Sequence, residues 1–185
     1  MKRMFAIAAA FAFSMAPVFG ATPLSTEQVR HFVESLEPVQ AFGDTLDKEG
    51  KLNALVGDGA TVDGEFKPYS SGVITLKSKF PSDFSRLSAV VKTHGFTPEE
   101  WGATGDRVMA AYMALRIERD EPAGLAALEP VDAAQIEKAP PAMRQQMLDY
   151  AAMMDAVKKA PAEDKKVVLP AMDLIDAHIA KKGGE

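Results

Sequence analysis

The segment HGFTPEEW, residues 94–101, brings an imidazole, a hydroxyl, two carboxylates and the sole tryptophan of the chain into one short stretch. An imidazole beside carboxylates is raw material for general acid–base work or for holding a metal. Helix grammar accounts for the same residues in another way. Gly95 is placed to end a helix in the left-handed conformation just after His94. Thr97 then caps the next helix, Pro98 takes its first position, and Glu100 falls where a capping box needs it. Phe96 and Trp101 have the spacing of a hydrophobic staple. Glu99 and Glu100 sit where the helix dipole favours negative charge, by about 0.3–1 kcal/mol each. The segment is therefore read as a structural joint made by Gly95, Phe96, Thr97, Pro98, Glu100 and Trp101, with a catalytic or ligand site as the lesser alternative.

Other chemistries find less support. His31, His94 and His178 lie far apart and form no HxH or HExxH pattern; His31 and Glu27, one turn apart, suit a solvated surface pair. Asp58, Asp63 and Glu65 do not have the spacing of a calcium loop. The serines at 70, 71, 82, 85 and 88 lack a nucleophile elbow, and no glycine-rich phosphate cradle is present. The chain contains no cysteine, which removes thiol nucleophiles, thiol redox work, disulfides and Cys-based zinc sites together. No catalytic, cofactor-binding or metal-binding residue is assigned.

Binding leaves a broader trace. Trp101, Gly105 and Tyr112 fall on one side of a long helix. Gly102, Ala103, Gly105, Ala110, Ala111 and Ala114 give that helix a small-residue surface, suited to close packing or to a groove for an acyl chain or a partner helix. Met143, Met147, Tyr150, Met154 and Val157 form the stripe of a later helix, read chiefly as core; flexible thioethers also suit adaptable surfaces. Trp101, Gly105, Tyr112, Met147 and Met154 are thus the candidate interaction or ligand-pocket residues.

The elements that must position these residues are helices. Residues 25–37 carry Val29, Phe32, Val33 and Leu36 at helical spacing, opened by a Ser25/Gln28 capping box and a Leu24/Val29 staple. Pro38 is expected to start a second segment through Val39, Phe42 and Leu46, extending toward Leu52 and Val56. Residues 57–79 have several glycines and no helical period. Asp63-Gly64 there predicts a hairpin turn, and Val73-Ile74-Thr75-Leu76 a short strand or extended strap. Helices follow over 81–93, with Phe84, Leu87, Val90 and Val91 as the stripe, and over 98–118. A short one from the Asp132 cap to Lys138 is stopped by Pro140-Pro141. After the methionine helix, Pro161 begins the last, bearing Val167, Val168, Leu174, Ile175 and Ile179, and Pro170 should kink or divide it. The tail GGE is expected to fray. The fold class is all-α: a bundle of roughly five to seven helices with one irregular Gly-rich insertion.

The amino terminus reads as an export signal. Lys2 and Arg3 precede an apolar run from Met4 to Met15, too short to span a bilayer, and Val18-Phe19-Gly20 suits cleavage before Ala21. This divides the chain into a signal peptide, residues 1–20, and one helical domain, residues 21–185. Loss of Lys2 and Arg3 takes the net charge from −5 to −7, which argues against nucleic-acid binding. With no later apolar run of membrane length, the mature protein is expected to be soluble and periplasmic.

LSTEQVRHFVESL near the mature start and HGFTPEEWGATGDRVMAAYMAL in mid-chain resemble small exported helical proteins of Gram-negative bacteria that carry no assigned function. The likeness covers about residues 24–120 through its Gly-Phe-Thr-x-x-x-Trp core and implies no catalytic residues. Leu24-Ser25-Thr26-Glu27-Gln28 and Phe96-Thr97-Pro98-Glu99-Glu100 are similar, as degenerate versions, to the Leu-Thr-x-x-Gln repeats of ATP-independent periplasmic chaperones. The expectation is a non-enzymatic periplasmic protein that binds a partner protein or a small hydrophobic ligand, without a cofactor. A holdase-like chaperone and a hydrophobic-ligand carrier are the alternatives within that class, and a hydrolase-type enzyme the alternative outside it.

Overall fold

In the computed structural model, which describes residues 23–56, 59–121, 124–127 and 133–183, the first helix starts as its sequence dictates. The Ser25 hydroxyl accepts the Gln28 N–H at 3.1 Å and the Ser25 N–H donates to the Gln28 side chain at 2.9 Å. The signal segment 1–20, Asp58, the Asp132 cap and the last two residues of the tail lie outside the described residues.

Helix α1 runs unbroken from Thr26 to Lys48 with Pro38 inside it, which corrects the expected division at that proline. An interior proline forfeits one backbone hydrogen bond and costs about 3 kcal/mol. The apolar stripe nevertheless continues in phase across it. Val29, Phe32 and Leu36 before Pro38 and Phe42 and Leu46 after it are all buried in the same core, so packing on both sides holds the helix together. Gly50, at φ 72°, ends it. The Lys51 N–H returns to the Leu46 carbonyl at 2.9 Å and the Gly50 N–H to that of Asp47 at 2.8 Å, the paired bonds of a Schellman motif.

A short helix α2, Leu52–Val56, precedes the hairpin of β1, Thr61–Val62, and β2, Glu65–Phe66. Asp63 and Gly64 both have positive φ, 52° and 78°, as a two-residue type I′ turn requires. From Pro68 onward the expected insertion is helical. Helix α3, Pro68–Lys79, replaces the strand or strap foreseen at Val73-Ile74-Thr75-Leu76. Tyr69, Val73 and Leu76 do fall at i, i+4 and i+7, and Val73 and Leu76 are buried. Gly72 and the β-branched residues dilute that signal, and tertiary packing overrides their weak propensity.

Helix α4, Pro81–Lys92, and the central α5, Pro98–Asp120, match their expected ranges. Short α6, Gly124–Ala127, and α7, Ala133–Lys138, lead to α8, Pro141–Lys158. Helix α9, Ala162–Val168, passes through a 3-10 turn containing Pro170 into α10, Met172–Gly183, so that proline divides the last segment. The protein is mostly helical: among the described residues, six helices reach twelve residues or more, beside the one small hairpin.

The core gathers around α5, whose Trp101, Val108 and Tyr112 meet Phe32, Leu87, Val91, Val168 and Ile175 from the surrounding helices. Helix α8 departs from its reading as core. Met143 and Tyr150 are about half exposed, at 53% and 51%, Met147 and Met154 are only partly covered, and Val157 alone of that stripe is sealed. Leu174 of α10 is likewise exposed at 63% and Ile179 at 42%, while Ile175 is buried. Helical period marks an apolar face; it does not supply a partner for all of it.

Candidate ligand-binding site

The joint forms as its sequence requires. Gly95 has φ 81°, and the Phe96 N–H reaches the Val91 carbonyl at 3.2 Å while the Gly95 N–H reaches that of Lys92 at 3.0 Å. Phe96 is buried against the core. The Thr97 N–H donates to Glu100 Oε2 at 2.9 Å and the Glu100 N–H to the Thr97 hydroxyl at 3.2 Å. Glu99 pairs with Lys77 at 2.7 Å, and that hydrogen bond, followed by its own backbone contact, holds the Glu99 carboxyl below its ordinary range.

The joint delivers Trp101 into an aromatic cluster. Its ring centroid lies 5.6 Å from that of Phe32 and 5.3 Å from that of Tyr69, and Phe32 and Tyr69 are 5.5 Å apart. The indole N–H donates to the Ser35 hydroxyl at 2.8 Å, which donates onward to the Phe32 carbonyl at 2.6 Å. Burial chiefly, and the negative Asp106 after it, push the Tyr69 hydroxyl up to about 12.

Gly105 makes the cluster possible. A Cβ there would stand 2.8 Å from carbons of both Phe32 and Tyr69, and one on Gly102 would stand 3.1 Å from the Ser70 Cα. The small-residue surface of α5 is thus the seat of α3. Gly105→Ala is expected to lower the urea midpoint. Overpacking costs about 1–3 kcal/mol, more than the roughly 1 kcal/mol that alanine gains over glycine in a helix interior.

Beside the cluster is a cavity of about 180 Å³ between α1, α2, α3, α4 and α5. Val39, Phe42, Leu46, Leu55, Tyr69, Val73, Leu76, Leu87 and Trp101 line it, with Gly43 and Gly72, and its wall is almost wholly apolar. Of the five candidate residues, Trp101 faces this space and Gly105 seats the rings behind it. Tyr112 lies further along α5, its hydroxyl hydrogen-bonded to Asp176 of α10 and to Arg116 at 3.0 Å. Met147 and Met154, on α8, are not part of the cavity wall.

The sequence reading missed the buried carboxylates. Asp164 is fully buried, with Arg107 Nε at 2.9 Å, Arg107 Nη2 at 2.6 Å and the Leu24 N–H at 3.0 Å. Asp83 is buried between Lys51 and Arg86, each at 2.8 Å, and Lys51 first, then Arg86, holds its carboxyl below the ordinary range. Asp106 accepts the Tyr69 N–H at 2.8 Å and that of Ser70 at 3.4 Å, so it caps α3, which has no side-chain cap at its own N-terminal boundary. Burial pushes the Asp106 carboxyl up, against the lowering effect of its Ser70 and Tyr69 hydrogen bonds. Elsewhere, His31 lies 3.9 Å from Glu27 on the surface of α1. Among the described residues no three His, Asp or Glu side chains are grouped to hold a metal ion, and no helix is long and apolar enough to cross a membrane.

No protein-family model matches the chain, and no solved structure matches it. Among curated sequences it is similar to the P3 protein of Homo sapiens, 26% identical over 143 residues, covering 71% of this chain. The chain spans 27% of that protein's length.

Proposed function

We propose that this is a non-enzymatic binding protein that works in the periplasm after export and carries a small hydrophobic ligand in the cavity beside Trp101. The observation that carries the binding reading is the nearly all-apolar wall of that 180 Å³ space. A dry apolar cavity of about 150 Å³ is enough to admit benzene, so the ligand is of the size of a single ring or a short alkyl chain. The export reading rests on Lys2, Arg3 and the apolar run that follows them.

Trp101, the sole tryptophan, lines the cavity, so its emission reports occupancy directly. Titration with 1-hexanol is expected to give a saturable shift in that emission. Gly72 also lines the cavity, and a Cβ there meets no atom within 4 Å. Gly72→Leu should therefore fill the space without lowering the urea midpoint and abolish the saturable response. A response that stays linear in the parent, or that survives Gly72→Leu unchanged, overturns the carrier reading.

A further inference from the structure

Glycines inside the helices are of two kinds. Gly102 and Gly105 of α5 are required by contact, since a Cβ there would press on Ser70 or on Phe32 and Tyr69. Gly43 of α1 and Gly72 of α3 are required by nothing of that sort. A Cβ on either meets no atom within 4 Å, and neither has a positive φ. Every other described glycine from Gly43 to Gly124 has one reason or the other. Glycine is a poor helix former because it loses the most backbone freedom on folding. Two helices are therefore weakened, and neither packing nor turn geometry offsets it.

Both glycines line the same space, the apolar cavity beside Trp101. Its floor is sealed, with Leu46, Leu76, Leu87 and Trp101 all buried. Gly43 and Gly72 belong to its half-buried rim, with Val39, Leu55 and Pro68. Phe42, Tyr69 and Trp101 give the wall three aromatic side chains. Rings favour edge-to-face and offset contacts with one another, and Tyr69 and Trp101 already meet at an interplanar angle of 78°. Almost no polar surface faces the space, so a polar group at the inner end of a ligand would be buried without a partner, which is costly.

We propose that Gly43 and Gly72 are specificity-determining residues: they hold the rim wide enough for a single apolar aromatic ring, which seats against Phe42, Tyr69 and Trp101. The inference rests on the carrier reading and narrows its ligand from a ring or a chain to a ring. An alkyl chain is slimmer than a ring, so a methyl group added at each glycine closes the rim to the ring first.

The test titrates the full chain with toluene and with 1-hexanol by calorimetry, in the parent and in the double variant Gly43→Ala with Gly72→Ala. The parent is expected to bind both. The double variant should bind toluene at least about tenfold more weakly and 1-hexanol within about threefold of the parent. Its urea midpoint should equal or exceed that of the parent, because alanine is the better helix former and its Cβ meets nothing; this separates lost space from lost structure. A double variant that keeps its toluene affinity, loses both ligands alike or unfolds at lower urea overturns this inference and leaves the carrier reading standing, as does a parent that binds 1-hexanol and not toluene. A parent that binds neither compound overturns both.

Discussion

Trp101→Ala is expected to destabilise the chain by about 3–5 kcal/mol, the range for removing a large aromatic side chain from a packed core. Trp101 is 5% exposed and packs against both Phe32, at a tilt, and Tyr69, edge to face. Its removal enlarges the neighbouring cavity, since Trp101 already forms part of that wall. It also takes away the donor to Ser35, although the Ser35 hydroxyl keeps its bond to the Phe32 carbonyl. Trp101→Phe keeps a ring and loses chiefly that hydrogen bond, worth about 0.5–1.5 kcal/mol. Urea unfolding followed by far-ultraviolet circular dichroism checks both variants. If Trp101→Ala kept the parent midpoint and lost only ligand binding, the reading of HGFTPEEW as a joint would fall.

Arg107→Ala should cost about 3 kcal/mol, the lower end of the range for breaking a buried ion pair. The lower end applies because the Arg107 side chain is 36% exposed, whereas that of Asp164 is 0% exposed. The variant leaves Asp164 with the Leu24 N–H at 3.0 Å and no guanidinium. The pair joins the chain just before α1 to α9 through the middle of α5, so its loss loosens three elements at once. A double replacement, Arg107→Leu with Asp164→Leu, removes the buried charge together with its partner and should cost less than Arg107→Ala alone. Thermal or urea unfolding of the single and double variants decides this, and a double variant weaker than the single would refute it.

The parts of the fold that were legible in the sequence are those whose causes lie within a few residues. Ser25 with Gln28 and Thr97 with Glu100 are both complete capping boxes, and Gly95 turns the chain where a helix stop was read. Asp63-Gly64 makes its hairpin for the same reason. Helix α3 was not legible because its causes are distant. Its cap, Asp106, lies on α5, and its seat is Gly102 and Gly105 of that same helix. Pro38 misled in the opposite sense: its local preference is real, but Phe32, Leu36, Phe42 and Leu46 all bury on one core and carry α1 through.

The candidate site was legible to the same extent. Trp101 stood out as an aromatic on a helix of small residues, and it does line the apolar cavity. Its neighbours there, among them Phe42, Leu46 and Leu76, come from α1 and α3, and no spacing within one segment announces them. Met147 and Met154 have the period of a buried stripe, but α8 covers only part of its apolar face. Buried carboxylates are equally hidden, because Asp164 finds Arg107 across 57 residues of chain.

The trans-acting cap also orders events during folding. Helices α1 and α5 carry complete start signals and can nucleate from their own residues. Helix α3 takes its acceptor from a side chain 37 positions beyond Tyr69, so a loop of that size must close, at an entropic cost, before the cap can form. It is therefore a product of chain collapse rather than a seed for it. Pro68 and Tyr69 line the apolar cavity beside Trp101, so that pocket is complete only once α3 is docked on α5. A chain in which α3 is undocked lacks the Pro68, Tyr69, Gly72, Val73 and Leu76 side of that pocket's wall.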